Sequence, residues 1–408
     1  MGQLQKLNNK EKGYNEFLEH RIKRALPLCF KSSIKIITNM GAANPLSAAK
    51  VVKKIALELG IEGLKIAAVL GDDIFSNISK YMDHEIQETG EKLESIRSKI
   101  ISANAYIGTW GIIEALRNGA DIIITGRIAD PALTLAPLMF EFNWNKDNYE
   151  LLGKGTLAGH LLECAGQVTG GYFADPGYKD VPDIWNLGFP IAEVTENGEI
   201  VITKLEQSGG IVNEQTCKEQ VLYEIHDPSS YFTPDVIADF SELTIEKIGV
   251  NKVLIKKAHG RKETGLFKVS VGYKDCYIGE GEISYGGSGA YERAKLASDI
   301  IKKRLEYLNI KVEELRIDFI GVNSLYKNSL SEKLGGYKNN YNEVRVRIAA
   351  RTSNKEFAEI IGNEVEALYT NGPAGGGGAR KYIKEIISIA SIFVSSDDIN
   401  IKVIYEEV

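Results

Sequence analysis

The chain has 408 residues, which is long enough for two domains, or one large domain with an insertion, around a substantial core. Apolar residues make up 44% and charged residues 25%, as in an ordinary globular protein. The 55 acidic side chains outnumber the 49 basic ones, and no dense basic block is present. We therefore expect neither nucleic acid nor an anionic membrane as a partner.

Cysteine usage and the N-terminus indicate the compartment. The four cysteines lie far apart and include no Cys-x-x-Cys pair, so we expect reduced thiols rather than a disulfide framework or a zinc ribbon. The N-terminal segment carries charge without an apolar core, and no apolar run approaches the ~18 residues that a membrane-spanning helix needs. The sequence therefore predicts a soluble cytoplasmic protein.

Three short apolar runs, rich in β-branched residues, lie at 34–40, 64–70 and 121–125. Each ends in a turn of small and polar residues, and segments with helical spacing follow the turns. Runs of this kind are typical of strands that are covered on both faces. The alternation predicts an α/β fold with a doubly wound, mostly parallel sheet in the N-terminal part.

The turns after these strands carry the first candidate binding residues: Asn39 and Asn44, Asp72 and Asp73, and Arg127 and Asp130. Ligands of open α/β sheets bind beyond the carboxyl ends of the strands, so we expect these side chains to face one crevice. Arg127 offers a planar, two-pronged donor that suits a carboxylate or a phosphate. Adjacent aspartates favour a cation or a proton transfer, and the N–H groups at helix starts favour an anion.

Two structural alternatives stay open at this crevice. Arg127 and Asp130 could pair with each other and only brace their loop. Asp72 and Asp73 could simply cap the helix that follows them. The composition of the turns does not separate these hypotheses from a binding role.

Residues 151–168 are predicted to form a helix that carries His160, Glu163 and Cys164 on one face. Such a set could ligate a metal, or it could place a base beside a thiol nucleophile. Ordinary buried core residues are the alternative for His160 and Cys164. The helix leads into a loop with paired glycines and Asp175, a composition that lets the backbone approach a ligand closely.

The chain is predicted to have three parts. An α/β Rossmann-like domain at 1–190 is followed by a connecting segment at 191–265 that holds two hairpins, one of them with an Asn-Gly turn. Residues 266–408 are predicted to form an α+β domain with antiparallel strands and glycine-rich loops. Within it we expect a mobile loop at 327–342, a helix at 381–393 and a strand at 399–405.

Three arginines alternate along one predicted strand of the last part, at Arg345, Arg347 and Arg351. Alternate residues of a strand point to the same face. The stripe could hold an anionic group, or it could be an ordinary solvated face.

Glycine-rich turns mark the C-terminal part at 279–289 and 371–381. The second turn contains four consecutive glycines and a nearby cation: Gly375, Gly376, Gly377, Gly378 and Arg380. Glycines directly before a predicted helix favour a cradle of backbone N–H groups for a phosphate or a thioester-carboxylate group. A hinge or a tight joint between domains is the alternative.

Six longer motifs together resemble one known family. They read ITNMGAANP at 37–45, TGRIADP at 125–131, GHLLEC at 159–164, VTGGYFADP at 168–176, GEGEISY at 279–285 and TNGPAGGGG at 370–378. In this combination they are similar to the acyclic terpene utilisation protein A (AtuA) family. The resemblance extends from about Gly13 to the end of the chain.

Two departures from the family pattern concern the ends of the chain. Family members begin with a strand and a Gly-Ala-Gly-Phe loop, and they have a further strand with Glu-Cys-Leu-Ala-Glu, whereas this chain starts after both. We expect either a start codon assigned too far downstream or a shortened paralogue. We also expect the chain to lack the small ferredoxin-like C-terminal domain of longer members, as in a common shorter form of the family.

The resemblance implies a role in the breakdown of branched acyclic terpenoids, a pathway that runs on CoA thioesters and includes a biotin-dependent acyl-CoA carboxylase. We expect an enzyme of lyase or hydratase type that acts on a small-molecule carboxylate or a CoA thioester. Arg127 would hold a carboxylate, and residues 375–378 would bind phosphate or an oxyanion. A proton would pass through Asp72, Asp130 or His160.

Two other functions stay open. The chain could be a non-catalytic subunit that binds acyl-CoA or associates with the pathway carboxylase. It could also be a metal-dependent hydrolase that uses Asp72, Asp73 and His160. Cys164 is a further candidate catalytic residue. The sequence specifies no cofactor, no particular metal and no oligomeric state, and a homo-oligomer is compatible with it.

Overall fold

The computed structural model describes residues 2–334 and 341–408. The α-helices are α1 Gly2–Asn8, α2 Leu18–Lys31, α3 Pro45–Glu58, α4 Trp110–Arg117, α5 Ala132–Glu141, α6 Tyr149–Glu163, α7 Glu214–Leu222, α8 Ala290–Tyr307, α9 Lys327–Lys333 and α10 Lys355–Asn371. Short 3-10 helices lie at Phe75–Tyr81, Leu93–Lys99, Ile184–Asn186 and Ser396–Asp398. No helix within these described residues combines the length and the apolar character needed to cross a bilayer.

The strands begin with the apolar runs of the N-terminal part. They are β1 Ile36–Thr38, β2 Lys65–Leu70, β3 Ile100–Ala105, β4 Ile122–Thr125, β5 Pro190–Val194, β6 Ile200–Lys204, β7 Tyr231–Phe232, β8 Ile237–Asp239, β9 Thr244–Gly249, β10 Lys252–Lys256, β11 His259–Arg261, β12 Leu266–Gly286, β13 Glu314–Ile320, β14 Glu343–Thr352, β15 Gly376–Ser395 and β16 Lys402–Glu407. The segment expected as a mobile loop contains α9, and its residues 335–340 lie outside the described residues.

The chain divides into two units. The first unit consists of Met1–Arg97, Ile101–Val271 and Ala390–Val408. The second unit consists of Ser98–Ile100 and Gly272–Ile389. The last residues of the chain therefore belong with the N-terminal part.

The main sheet of the first unit has the strand order β1, β4, β2, β16. The first three strands run parallel, whereas β16 runs antiparallel to β2. The three parallel strands are the apolar runs expected from the sequence, and Ile122, Ile123 and Ile124 are buried in succession, as a sheet covered on both faces requires. The fold is therefore mixed α/β with parallel and antiparallel strands, and the doubly wound arrangement stays a prediction.

Helices pack tightly onto this sheet. Leu26 of α2 and Val52 of α3 belong to one buried cluster with Ile66 of β2. Helix α4 approaches β2 through Gly111, because a Cβ at that position would overlap the side chain of Val69. Close packing of this kind holds the carboxyl ends of the parallel strands in fixed positions.

Two small antiparallel sheets complete the first unit. One has the order β5, β6, β10, β9 and the other the order β11, β8, β7. The pairs β5 with β6 and β9 with β10 are the two hairpins that the sequence predicted. The sheets also bring Tyr231 of β7 to His160 of α6, with ring centroids 5.5 Å apart.

The second unit is built on a sheet of order β13, β14, β12, β15, in which β14 runs antiparallel to both β12 and β13. Its buried core includes Ile301 of α8, Val365 of α10 and Ile283 of β12. Strand β12 is continuous over 21 residues. Antiparallel strands with packed helices are therefore confirmed for this part of the chain.

The arginine stripe of β14 is neutralised within the second unit. Arg345 pairs with Glu282 at 2.6 Å. Arg347 pairs with Glu280 and Asp318. Arg351 pairs with Asp275 at 2.8 Å and with Glu313 at 2.9 Å. Each guanidinium therefore already has a carboxylate partner. The hypothesis that the stripe holds an anionic ligand loses its main support.

Two elements of the C-terminal part differ from the prediction. Residues 381–393 are not a helix but lie in β15. Their isoleucines recur at spacings of three and four residues, which mimics a helix, yet β-branched residues favour a strand. The strand expected at 399–405 exists as β16, but it pairs with β2 in the main sheet of the first unit. Local spacing gave no information about this long-range pairing.

Gly279 on β12 tests the packing of the second unit. A Cβ at Gly279 would overlap the carbonyl oxygen of Ala358 on α10, so the helix backbone lies directly against the strand. We predict that Gly279→Ala lowers the free energy of unfolding by about 1–3 kcal/mol through overpacking. Urea unfolding measures this change.

The matched control is Gly377→Ala on β15. A Cβ at Gly377 would meet no atom within 4 Å, so the free energy of unfolding should change by less than about 0.5 kcal/mol. Equal losses from the two substitutions would contradict the packing account.

Candidate functional site

The turns at the carboxyl ends of β1, β2 and β4 lie side by side. Strand β4 pairs with both of the other strands, so its turn lies between theirs. Asn39 donates from Nδ2 to Asp130 Oδ1 (3.2 Å), and the backbone N–H of Arg127 donates to Asp72 Oδ2 (2.9 Å). Hydrogen bonds therefore bring these four candidate residues together.

Asp72 is buried, and its carboxylate holds the surrounding loops together. It accepts hydrogen bonds from the Arg127 N–H and from Asn104 Nδ2 (3.0 Å). A Cβ at Gly126 would lie 2.6 Å from the carboxylate oxygens, so only glycine fits there. Burial raises the pKa of Asp72, and the neighbouring Asp73 adds to the rise, while the hydrogen bonds oppose it. Asp72 therefore acts first as the anchor of the turn after β4.

Asp73 and Asn44 take part in local structure. Asp73 forms an ion pair with Lys6 (3.2 Å) and accepts a backbone N–H at the start of the following 3-10 helix. Asn44 caps α3 through its side-chain oxygen, and its Nδ2 donates to two backbone carbonyls at 2.8 Å and 2.9 Å. The N-cap residue of that 3-10 helix is Ile74, and no side chain caps it, so the hypothesis that the two aspartates form a helix N-cap pair is wrong. A role for Asp73 or Asn44 in ligand binding stays a prediction.

A cavity of about 400 Å³ adjoins the Asp130 turn, which is within the size range of small-molecule sites. Its walls are mainly apolar and aromatic, and they include Tyr106, Pro131, Tyr231, Phe232, Leu266 and Phe393. The polar side chains in the walls are Asp130, Thr233, Thr264 and Lys268. All of these residues belong to the first unit. The cavity thus combines an apolar surface with one carboxyl and one ammonium group.

The Asp130 carboxyl has unusual electrostatics. Burial raises its pKa, and the nearby carboxylates of Glu163 and Glu224 raise it further. Arg127 and the hydrogen bond from Asn39 act in the opposite direction. A carboxyl whose pKa is raised toward the working pH can both give and take a proton. Asp130 is therefore the strongest acid–base candidate in the cavity wall.

Arg127 extends over the ring of Tyr106, with its Cζ 5.1 Å from the ring centroid. The side chain is exposed, and among the residues that the structure describes it forms no ion pair within 4.0 Å. Asp130 bonds to Asn39 instead. A direct ion pair between Arg127 and Asp130 is therefore not what braces this loop, and the guanidinium is available to a ligand.

His160 is buried, with 1% of its surface exposed. Its Nδ1 lies 2.9 Å from Glu163 Oε1, and its Nε2 lies 3.2 Å from the carbonyl oxygen of Val221. The two contacts hold the imidazole ring in one orientation. The ring packs against Tyr231, which lines the cavity. His160 thus orients Glu163 and supports the cavity wall, and a catalytic role for it stays a prediction.

Cys164 follows α6 directly after Glu163, and its thiol is partly exposed. Burial raises its pKa, and the carboxylates of Glu163, Glu224 and Asp130 add to the rise, against a hydrogen bond from Gln220. Catalytic thiols need the opposite shift, because the thiolate is the nucleophile. These surroundings therefore favour a protonated, unreactive thiol.

Asp130 lines the cavity, whereas the other candidates, Arg127 included, are not among its lining residues. Asp175 is exposed in the loop after α6. The glycines at 375–378 belong to the second unit, and β15 begins at Gly376, where the sequence predicted the approach to a helix. Gly375 and Gly378 have left-handed φ values of 73° and 65°, which glycine tolerates best, and Arg380 is exposed. The argument from a helix N-terminus therefore does not apply, and anion binding by this turn stays a prediction.

The carboxylates and His160 are the candidate metal ligands of the sequence. Between residues 2 and 334 and from 341 to 408, no group of three or more His, Cys, Asp or Glu side chains is placed to hold a metal ion. Asp72, Asp73 and His160 have separate partners within the protein. The hypothesis of a metal-dependent hydrolase therefore has no ligand set in the described part of the chain.

Several cavity residues were not found from the sequence. Tyr106, Tyr231, Lys268 and Phe393 come from four distant segments, and only the folded chain brings them together. The one local signal was the aromatic segment at Tyr231, which ends in a proline two residues after Phe232. Such a segment is also common in ordinary edge strands.

Asp130→Asn should stabilise the folded protein at neutral pH. Because the folded-state pKa of Asp130 is raised, ionisation of this carboxyl costs the folded state free energy above that pKa. The cost vanishes below the unfolded-state pKa of about 3.9, where the carboxyl is protonated in both states. We expect the melting temperature of the variant to rise by about 2 °C at neutral pH, and the gain to disappear in acid.

Asp227→Asn is the matched control for this measurement. Hydrogen bonds from Ser229 lower the pKa of Asp227, so this substitution should lower the melting temperature at neutral pH or leave it unchanged. A pH-independent effect of Asp130→Asn would contradict the electrostatic account of the site.

Comparison with known proteins gives a family match. No curated protein and no solved structure matches the chain. A family model described as acyclic terpene utilisation family protein AtuA matches residues 1–405. The match includes the Asp130 turn, the cavity residues and the glycine-rich turn of the second unit. The chain therefore belongs to the acyclic terpene utilisation family AtuA.

Proposed function

We propose that this chain is an enzyme of acyclic terpenoid breakdown that catalyses a proton-transfer step, of lyase or hydratase type, on a branched carboxylic acid or its CoA thioester. Family membership supports the pathway. The observation that carries the reaction class is the Asp130 carboxyl, with its raised pKa, in the wall of an apolar cavity. We also propose the cytoplasm as the compartment, because the cysteines carry free thiols.

The walls of the cavity suit a branched hydrocarbon chain. Phe232, Leu266 and Phe393 line the cavity while 62%, 45% and 41% of their surfaces are exposed. A bound acyl chain would cover these apolar surfaces, and each buried CH₂ group contributes about 0.8 kcal/mol to binding. The aromatic rings therefore supply affinity for the part of the substrate that carries no charge.

Asp130 would act as proton donor and acceptor. In a hydratase step, its protonated carboxyl gives a proton to the carbon next to the carbonyl of an unsaturated substrate, and water adds to the neighbouring carbon. The proton that the water then loses returns to Asp130. A lyase that eliminates water follows the same steps in reverse. The hydrogen bond from Asn39 holds the carboxyl in one orientation.

Arg127 would bind the carboxylate of the substrate. Its guanidinium stacks on Tyr106 and has no ion-pair partner within the described residues, and its planar fork matches a carboxylate. In this proposal Asp72 positions Arg127 through the backbone, while His160 supports the cavity wall behind Tyr231. Neither Asp72 nor His160 then needs to touch the substrate.

A non-catalytic subunit is the second candidate, and one observation favours it. Tyr172, Tyr178 and Trp185 are 90%, 89% and 84% exposed, and exposed aromatic side chains are enriched at protein interfaces. Such a surface fits docking onto a pathway enzyme such as the carboxylase. Co-purification with a carboxylase, together with no turnover by the isolated chain, would favour this function over the first.

Asp130→Asn tests the proposed chemistry directly. The purified chain is incubated with branched unsaturated acyl-CoA thioesters and their free acids, and mass spectrometry follows the addition of water. Because the amide cannot exchange the proton, we expect kcat to fall by a factor of about 10²–10⁴. KM should change little, since the amide preserves the shape of the cavity.

Asp227→Asn, a substitution at an exposed aspartate outside the cavity lining, should leave turnover unchanged. Full activity of the Asp130→Asn variant would refute Asp130 as the acid–base residue.

A further inference from the structure

Two cations share the ring of Tyr106. The Cζ of Arg127 lies 5.1 Å from the ring centroid, and the Nζ of Lys268 lies 5.6 Å from it. The cations come from distant parts of the first unit, the turn after β4 and strand β12. The Tyr106 N–H donates to the carbonyl oxygen of Lys268 (2.8 Å), so the ring and the lysine are held together by the backbone as well.

Neither cation is neutralised by a direct partner. Within residues 2–334 and 341–408, Arg127 and Lys268 form no ion pair within 4.0 Å. Asp130 and Glu88 carry negative charges that act on Arg127 and Lys268 at longer range, while their hydrogen bonds go to Asn39 and to the backbone N–H of Ser391 (2.8 Å). This contrasts with the arginines of β14, each of which has a carboxylate partner.

Both positive charges lie over the ring of Tyr106. The cation–π contacts stabilise the two cations but leave their charge unneutralised. An oxyanion bound by both groups would gain charge-assisted hydrogen bonds from each.

The position of this pair next to the cavity identifies the kind of ligand. Tyr106 and Lys268 both line the cavity, whose other walls are mainly apolar. A ligand that uses both surfaces must carry an anionic group at one end and a hydrocarbon body at the other. Simple inorganic anions would leave the apolar walls uncovered, and neutral hydrocarbons would leave the cations unpaired.

We propose that Arg127 and Lys268 jointly bind the anionic group of an amphipathic ligand whose branched hydrocarbon part lies in the cavity. This makes Lys268, on β12, a specificity-determining residue of the site. The anionic group is an oxyanion, either a free carboxylate or a phosphate of a thioester carrier. The choice of a branched hydrocarbon rests on the proposed function. The requirement for the positive charges of Arg127 and Lys268 concerns ligand binding and not turnover.

Isothermal titration calorimetry of the full chain tests this inference. The probes are a branched acyclic terpenoid acid, its methyl ester and its CoA thioester. The test variant is Lys268→Met, which keeps the length of the side chain and removes the charge. Lys252→Met is the matched control, because Lys252 is exposed on β10 and outside the cavity lining. Arg127→Met is the second variant.

We expect Lys268→Met and Arg127→Met each to weaken binding of an anionic probe by about tenfold, which corresponds to about 1.4 kcal/mol. The methyl ester should bind equally well to all variants, which also shows that their cavities are intact. Weaker binding of the free acid identifies a carboxylate as the anionic group. Weaker binding of the thioester alone identifies a phosphate.

Unchanged affinity of Lys268→Met for both anionic probes would overturn the inference, as would a wild-type chain that binds the ester as tightly as the acid and the thioester. These outcomes are independent of the proposed chemistry. Asp130→Asn should retain anion binding while it loses turnover, so a failure of the charge requirement and a failure of the acid–base role give different results.

Discussion

The buried carboxylate of Asp72 is the interaction on which the candidate site depends. It receives the backbone N–H of Arg127 and the amide of Asn104, and Gly126 leaves just enough room for it. Since β4 lies between β1 and β2, this one group anchors the turn at the centre of the three parallel strands. Arg127 and Asp130 both lie in that turn, so the position of the turn determines what their side chains can reach. Its two hydrogen bonds offset only part of the desolvation cost of the charge, and the pKa of Asp72 is therefore raised.

A second set of acids gives Asp130 its chemical character. Burial raises the pKa of Asp130, and the carboxylates of Glu163 and Glu224 raise it further. His160 holds Glu163 in place through the contact between its Nδ1 and Glu163 Oε1. Glu224 has a left-handed φ of 59°, a conformation that costs free energy outside glycine. Acids that repel each other and a strained backbone both reduce stability. Such costs are typical of sites that are maintained for function.

The sequence could predict the part of the site that depends on local patterns. Asn39, Asp72 and Arg127 follow short apolar runs, and ligand sites of parallel sheets lie at such strand ends. The cavity could not be predicted in this way, because Tyr231 and Lys268 reach it through long-range strand pairing. The same limit explains β15, where isoleucine spacing suggested a helix, and β16, whose partner strand lies at the other end of the chain.

The most direct test of this account is a crystal structure of the chain with a branched acyclic acid bound. The account predicts the hydrocarbon chain between Tyr231 and Phe393, the carboxylate at Arg127 and Lys268, and a substrate carbon within hydrogen-bonding reach of Asp130. Binding of the acid at the glycine-rich turn of the second unit, with the cavity unfilled, would contradict it.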